Sequence, residues 1–205
     1  MATSPRIWNW IARRYARQPV PDAAAYQRKL DQTRALLAPD MTLLEFGCGT
    51  GTTALHHAPH VARIDAIDFA EGMIAIAREK AAAAGAGNLR FEVATIEDWP
   101  APDASYDMVL GMSILHLLAE RRAVLARVHA LLKPGGRFLS STVCISDMGR
   151  LPRLLAPVLR GLGLIPVASL AGETLLAEIT AAGFEIEDHW RPGPGKPMFV
   201  VARRG

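Results

Sequence analysis

The sequence predicts a doubly wound α/β domain: a mostly parallel, seven-stranded sheet that ends in an antiparallel hairpin. Three observations carry that prediction. From residue 42 onward, short apolar runs alternate with longer segments of helical spacing, the mark of a parallel sheet covered on both faces. A cluster of glycines follows the first run, where a strand turns sharply into a helix. The last two runs are joined by too few residues for a crossover, so they must be antiparallel.

Taken in order, two helices are expected before the sheet, over residues 5–17 and 22–38, separated by Pro19 and Pro21. The expected strands are Thr42–Phe46, Ala62–Ile67, Leu89–Ala94, Tyr106–Leu110 and Gly136–Val143. Between them, Met73, Ile74, Ile76 and Ala77, and later Val124, Leu125, Val128 and Leu131, repeat at helical spacing. Lys133-Pro134-Gly135-Gly136 reads as a stop: proline ends the helix and the glycines permit the turn into the next strand. Phe184–Trp190 and Pro197–Arg203 form the closing hairpin across Arg191–Lys196.

Composition narrows the class. Half of the 205 residues are apolar and 21% are charged, enough for a buried core. Mean hydropathy is +0.15, yet no run reaches the roughly 18 uninterrupted apolar residues of a membrane span. Two cysteines, Cys48 and Cys144, make no disulfide framework and read as small apolar fillers at strand ends. Trp8, Asn9, Trp10 and Arg13 interrupt what a signal peptide would need, so a reducing, cytoplasmic setting is expected. The net charge of +3 is uneven. Residues 1–21 hold Arg6, Arg13, Arg14 and Arg17 and no acid, and residues 148–172 hold Arg150, Arg153 and Arg160 and no acid. The remainder is net acidic, which leaves no basic groove for a nucleic acid.

The chemistry centres on Leu43-Leu44-Glu45-Phe46-Gly47-Cys48-Gly49-Thr50-Gly51-Thr52. A dinucleotide fingerprint would place its third glycine at position 52, which is Thr. The acid two positions before the first glycine disfavours a pyrophosphate and suits a cation. Asp68 ends the second strand, where a carboxylate accepts ribose hydroxyls in adenosine-binding α/β folds. Together the two acids describe a ligand with a ribose and a cationic, amino-acid-like end.

These residues carry a family resemblance. LLEFGCGTG, AIDFAEGMIAIAREKA, DWPAPDASYDMVLGMSILHLL and LLKPGGRFL, in that order, resemble the Rossmann-like (class I) S-adenosylmethionine-dependent methyltransferases, in their small-molecule subgroup. The resemblance covers about residues 42–145 and implies a single domain. Residues 1–40 would be a helical cap, 41–145 the cofactor-binding core, 146–180 a substrate-covering insertion and 181–205 the hairpin. It further implies cofactor contacts at Glu45, Gly47, Cys48, Gly49, Asp68, Phe69, Met73, Thr95, Ile96, Gly111 and Met112. Among these, Glu45, Gly47 and Gly49 lie against the methionine part, Asp68 holds the ribose, and Met73 packs on the adenine with Phe69 near it. The usual pattern has Asp where this chain has Thr95, so the Thr95 hydroxyl or the Glu97 side chain would meet the adenine amino group. Gly111 and Met112, just past the fourth strand, would border the transferable methyl.

The implied reaction is an in-line displacement on a small, partly apolar molecule, with His116 or Tyr15 as candidate base if the acceptor carries a proton. A non-catalytic module binding the same cofactor or its demethylated product is the alternative, as is an enzyme of lipid or quinone-like substrates at a membrane surface. No metal site is expected: His56, His57 and His60 straddle Pro59 and read as a surface helix end. Trp8, Trp10, Ile7, Ile11 and Tyr15 read as one aromatic face of a lid, joined by the basic, apolar stretch 148–170, or else as a membrane contact.

Overall fold

The computed structural model describes residues 5–147 and 170–205. Seven strands form one sheet: β1 (Thr42–Phe46), β2 (Arg63–Asp68), β3 (Leu89–Val93), β4 (Tyr106–Met112), β5 (Leu132–Thr142), β6 (Phe184–Trp190) and β7 (Met198–Arg204). Their order across the sheet is β3-β2-β1-β4-β5-β7-β6. The first five are parallel, and β7 runs antiparallel to both β5 and β6. The helices are α1 (Pro5–Ala16), α2 (Ala23–Arg34), α3 (Thr52–His57), α4 (Glu71–Ala84), α5 (Arg121–Leu131) and α6 (Gly172–Ala181). Among the described residues, none is long and apolar enough to cross a membrane.

Strand alternation splits the core in two. Leu44, Phe46, Val109 and Phe138 face α5 and α6. Leu43, Ile64, Ala66, Met108, Leu110 and Leu139 face α3 and α4. Central strands β1 and β2 are therefore buried almost throughout, whereas the edge strands β3 and β6 each bury a single residue, Phe91 and Phe184. Between the two halves of the sheet, β1 pairs with β2 on one side and β4 on the other. Crossovers leave in opposite directions there, which opens a crevice at the carboxyl ends of these strands.

Four expectations are corrected. The second helix stops at Arg34 rather than residue 38, because Leu36 and Leu37 close tight turns onto Thr33 and Arg34. Strand β4 runs two residues further than expected, so Gly111 and Met112 are its last residues, paired with Ser140 and Ser141. The Lys133-Pro134-Gly135-Gly136 stop is absorbed into β5. Pairing begins at Leu132 opposite Tyr106 and resumes at Arg137 opposite Met108, with the extra residues bulged out and Gly135 at φ +75°. The aromatic face of α1 is divided. At 100° per residue, Trp8 and Trp10 point to opposite sides of the helix. Trp8 packs with Ala12 and Ala16 on Ala70, Met73 and Ile76, while Trp10 stands 84% exposed.

Candidate functional site

The glycine loop after β1 is built from three left-handed residues, Gly47, Gly49 and Gly51, at φ +63°, +54° and +72°. Two of them also make room for packing. A Cβ on Gly47 would strike Ile114 at 2.7 Å, and one on Gly51 would strike the Phe91 ring at 2.8 Å. Gly49 differs: a Cβ there would meet nothing within 4 Å. The loop thus packs inward at its ends and presents bare backbone to open space at its centre.

Asp68, 7% exposed, ties the loop down. Its Oδ2 accepts from the Gly49 backbone N–H and its Oδ1 from that of Ala70, each at 2.9 Å. Burial raises its pKa, and those two donors oppose the rise. Asp68 is thus more than the rim residue that a simple ribose contact would make it.

Glu45 is deeper, at 2% exposure, with its Oε2 buried and lacking a hydrogen-bond partner among the described residues. Burial pushes its pKa up to about 8; the Ala54 backbone N–H eases the charge and the Asp68 carboxylate adds to the penalty. A buried carboxyl of this kind takes up a proton unless a cation arrives beside it.

Two cavities open at the carboxyl edge of the sheet. The larger, about 610 Å³, is lined by Trp8, Phe46, Gly47, Phe69, Ala94, Thr95, Ile96, Glu97, Ile114, Leu117 and Leu118. It is mostly apolar, as a slot for a flat aromatic group would be. Thr95 does not stand alone at its rim: its hydroxyl donates to Asp98 Oδ2 at 2.8 Å and accepts from the Asp98 N–H at 3.3 Å. The smaller cavity, about 320 Å³, lies between α2 and the ends of β4 and β5. Tyr26, Lys29, Leu30 and Thr33 of α2 face Thr53, Met112, Ser113 and Ser141 across it. Ser113 sits at φ +60°, and its N–H donates to the Ser141 carbonyl at 2.8 Å. Ser113 and Ile114, adjacent in the chain, line different cavities, so this turn after β4 divides them.

Of the residues singled out from the sequence, Gly47, Phe69, Thr95 and Ile96 share the larger cavity and Met112 borders the smaller. Gly111 is a packing position as well, since a Cβ there would meet the Phe46 ring at 2.8 Å. Cys48 is buried in the loop, its thiol pushed well up by burial and by the Glu45 and Asp68 carboxylates. Met73 lies 2% exposed beneath α1 and lines neither cavity. His116 also lines neither. It is 8% exposed, its Nδ1 has no partner among the described residues, and burial lowers its pKa to about 4. Tyr15 packs edge-on against Trp8, and partial burial and the Asp68 carboxylate raise its pKa. The expectation of a surface position fails for His57, which is fully buried with both ring nitrogens unpartnered among the described residues and a pKa near 4 from burial. It is the last residue of α3, buried like Ala54 of the same helix and Ala58 of the turn that follows. The expected covering segment 148–170, with Leu155, Leu159 and Leu162, lies outside the described residues except for Leu170, which is buried.

The wall formed by α2 went unread in the sequence. Its signal was present: Tyr26, Lys29, Leu30 and Thr33 fall at i, i+3, i+4 and i+7, one face of a helix. Polar residues on such a face look like a solvated stripe until a partner surface is known.

The geometry is accompanied by similarity to known methyltransferases. A family model described as a methyltransferase domain matches residues 43–136. The chain is 34% identical over 97 residues to the uncharacterized methyltransferase YcgJ of Bacillus subtilis, covering 47% of this chain and 38% of that protein. It is 30% identical over 132 residues to a malonyl-[acyl-carrier protein] O-methyltransferase of Serratia marcescens, covering 63% and 50%. The chain therefore spans half or less of the length of these curated relatives. Its fold matches the crystal structure of the [4+2]-cyclase SpnF with a TM-score of 0.76 at 22% identity, covering 92% of this chain and 83% of that one. Over residues 43–136 the chain thus matches the methyltransferase-domain family, and its fold is the Rossmann-like one seen in solved methyltransferase structures.

Two outcomes are expected from the acids. Asp68→Ala should destabilise the ligand-free protein by about 1–3 kcal/mol, because two loop N–H groups lose a charged acceptor; chemical denaturation measures this. Glu45 takes up a proton on folding, so its contribution to stability is full below about pH 4.5 and is lost as pH rises toward about 8. The melting temperature of the ligand-free wild type should accordingly fall relative to Glu45→Gln across that interval, and parallel curves would show that Glu45 ionises normally.

Proposed function

We propose that this chain is an S-adenosylmethionine-dependent methyltransferase acting on a small, partly apolar molecule. The observation that carries the reading is the pairing of a buried, unpartnered Glu45 Oε2 with the open space over Gly49. A carboxyl in this state favours a cationic ligand, and the bare loop leaves room for one beside it. S-adenosylmethionine, with an ammonium and a sulfonium on an adenosine, fits both features and the apolar cavity next to them.

On this reading Glu45, Gly47, Cys48 and Gly49 hold the amino-acid end, and Asp68, already held by two backbone donors, offers its remaining lone pairs to the ribose. Phe69, Ile96 and Ile114 wall the slot for the adenine, with Trp8 of α1 closing it. Thr95 and Asp98 together supply what a lone Asp supplies in the usual pattern. Gly111 and Met112 end β4 at the border between the cavities. Met73 acts indirectly, by seating α1.

When bound, the cofactor supplies a methyl group already activated by its sulfonium. The chain's own part is alignment of the acceptor in line with that methyl and exclusion of water. Proton removal finds weak support: His116 is neutral but a poor base at a pKa near 4, Tyr15 keeps its proton more firmly than a free phenol, and neither lines a cavity. This favours an acceptor that is ionised before it reacts.

One observation favours a refinement toward membrane-borne substrates. Trp10 and Ile7 of α1 stand 84% and 50% exposed, in a helix carrying Arg6, Arg13 and Arg14. A helix of this kind rests in a lipid interface.

Gly49→Ala tests the principal reading. The new Cβ meets no protein atom, so stability should fall by only about 1 kcal/mol, the cost of a left-handed non-glycine residue. Titration calorimetry should show S-adenosylmethionine binding to the wild type and its loss in the variant. Equal affinity in the two would remove the loop from the site. For the membrane refinement, the protein should sediment with anionic vesicles at low salt and be released at high salt; no sedimentation at low salt eliminates it.

A further inference from the structure

We propose that Lys29, with Ser141, forms a binding site for the carboxylate of a small organic acid, which is the acceptor class of this chain. The inference deepens the methyltransferase reading and rests on it for the word acceptor; the carboxylate site itself stands on the geometry of the smaller cavity.

Lys29 projects from α2 across that cavity to β5, where its Nζ donates to Ser141 Oγ at 2.7 Å. Among the described residues no carboxylate lies within ion-pair distance of it. The ammonium has three donors and this bond uses one. Burial lowers the Lys29 pKa, and the more distant Asp22 only partly restores it. A half-buried cation without a counter-ion is costly, and an incoming anion relieves that cost.

Ser141 is shaped for the same task. It is 2% exposed, and its backbone carbonyl is held by the Ser113 N–H. Having accepted from Lys29, its hydroxyl keeps a proton to donate. Two donors of different kinds thus converge on one point of the cavity wall. Leu30 and Met112 supply apolar surface beside it for the rest of a small acid.

The position also suits transfer. The cavity abuts the turn after β4, whose next residue, Ile114, lines the larger cavity. None of the glycine-loop residues 47–51 lines the smaller one. This favours an acceptor carboxylate over the carboxylate of the cofactor's amino-acid end as the occupant. An acid held here arrives ionised, which agrees with the poor candidates for a base.

The test uses the full chain with benzoate as the anionic probe and benzamide as its neutral counterpart. Calorimetric titration of the protein saturated with S-adenosylhomocysteine should show benzoate binding and at least tenfold weaker benzamide binding. Lys29→Met should weaken benzoate at least tenfold and leave S-adenosylhomocysteine affinity within twofold. Lys29→Gln, which retains a donor for Ser141 without the charge, should lose benzoate equally, with an unchanged melting temperature marking an intact fold. Equal binding of benzoate to wild type and both variants, or no benzoate binding to the wild type, overturns the proposal. If the variants instead weaken S-adenosylhomocysteine but not 5′-methylthioadenosine, which lacks the amino-acid end, the carboxylate is the cofactor's and the acceptor assignment is overturned. If the wild type binds benzoate through Lys29 but not S-adenosylhomocysteine, the carboxylate site stands and the methyltransferase reading fails.

Discussion

The carboxyl edge of this sheet depends on one carboxylate. Asp68 accepts from Gly49 in the loop after β1 and from Ala70 at the start of α4. Those donors belong to two different strand-to-helix turns, which the Cys48 N–H on the Ile67 carbonyl and Lys80 of α4 on Thr50 and Thr52 also tie together. Held together, they set where Gly49 presents its backbone and how α4 leaves the sheet. The position of α4 then decides where α1 docks, through Ala12 on Ala70, Met73 and Ile76 and through Asn9 Oδ1 on the Gly72 N–H at 2.8 Å. Trp8 reaches the larger cavity only because that docking holds.

Around this point the protein keeps ionisable groups in environments that disfavour their charge. Burial raises Glu45 and Asp68 and lowers Lys29, His57 and His116. The two histidines answer by staying neutral, and they read as core residues. Glu45 and Lys29 are different, because each borders a place where a ligand of opposite charge can stand. On the proposed reading, cofactor and acceptor each bring the charge that its half of the site lacks. Binding energy is then concentrated at opposite-charge contacts formed out of water, where they are strongest.

The kinship with a [4+2]-cyclase in fold shows why the site must carry the functional reading. A class I sheet with a glycine loop supplies a place for a nucleoside. On the proposed reading, the reaction is decided by the groups around the second cavity, which come from α2 and the ends of β4 and β5 rather than from the central strands.

The strand and helix alternation over residues 42–142 was legible because its information is local. Strand alternation follows from continuous apolar runs, and β1 occupies the expected residues to the position. On the proposed reading, the glycine spacing, Glu45 and Asp68 carry the character of the ligand, since backbone freedom and charge belong to the residues themselves. The bulge that absorbs Pro134 and Gly135 was not legible, because pairing with β4 overrode the usual meaning of those residues as a stop. Nor was the division of labour between Trp8 and Trp10, His57 inside and Trp10 outside, or the role of α2. Tyr26 and Lys29 are separated from Ser141 by more than a hundred residues, and nothing in the spacing of either segment refers to the other. Their meeting is set by the strand order, which brings β5 next to β4 and lays α2 across the ends of both. Short-range chemistry is written along the chain, whereas the pairing of distant polar groups exists only once the sheet has closed.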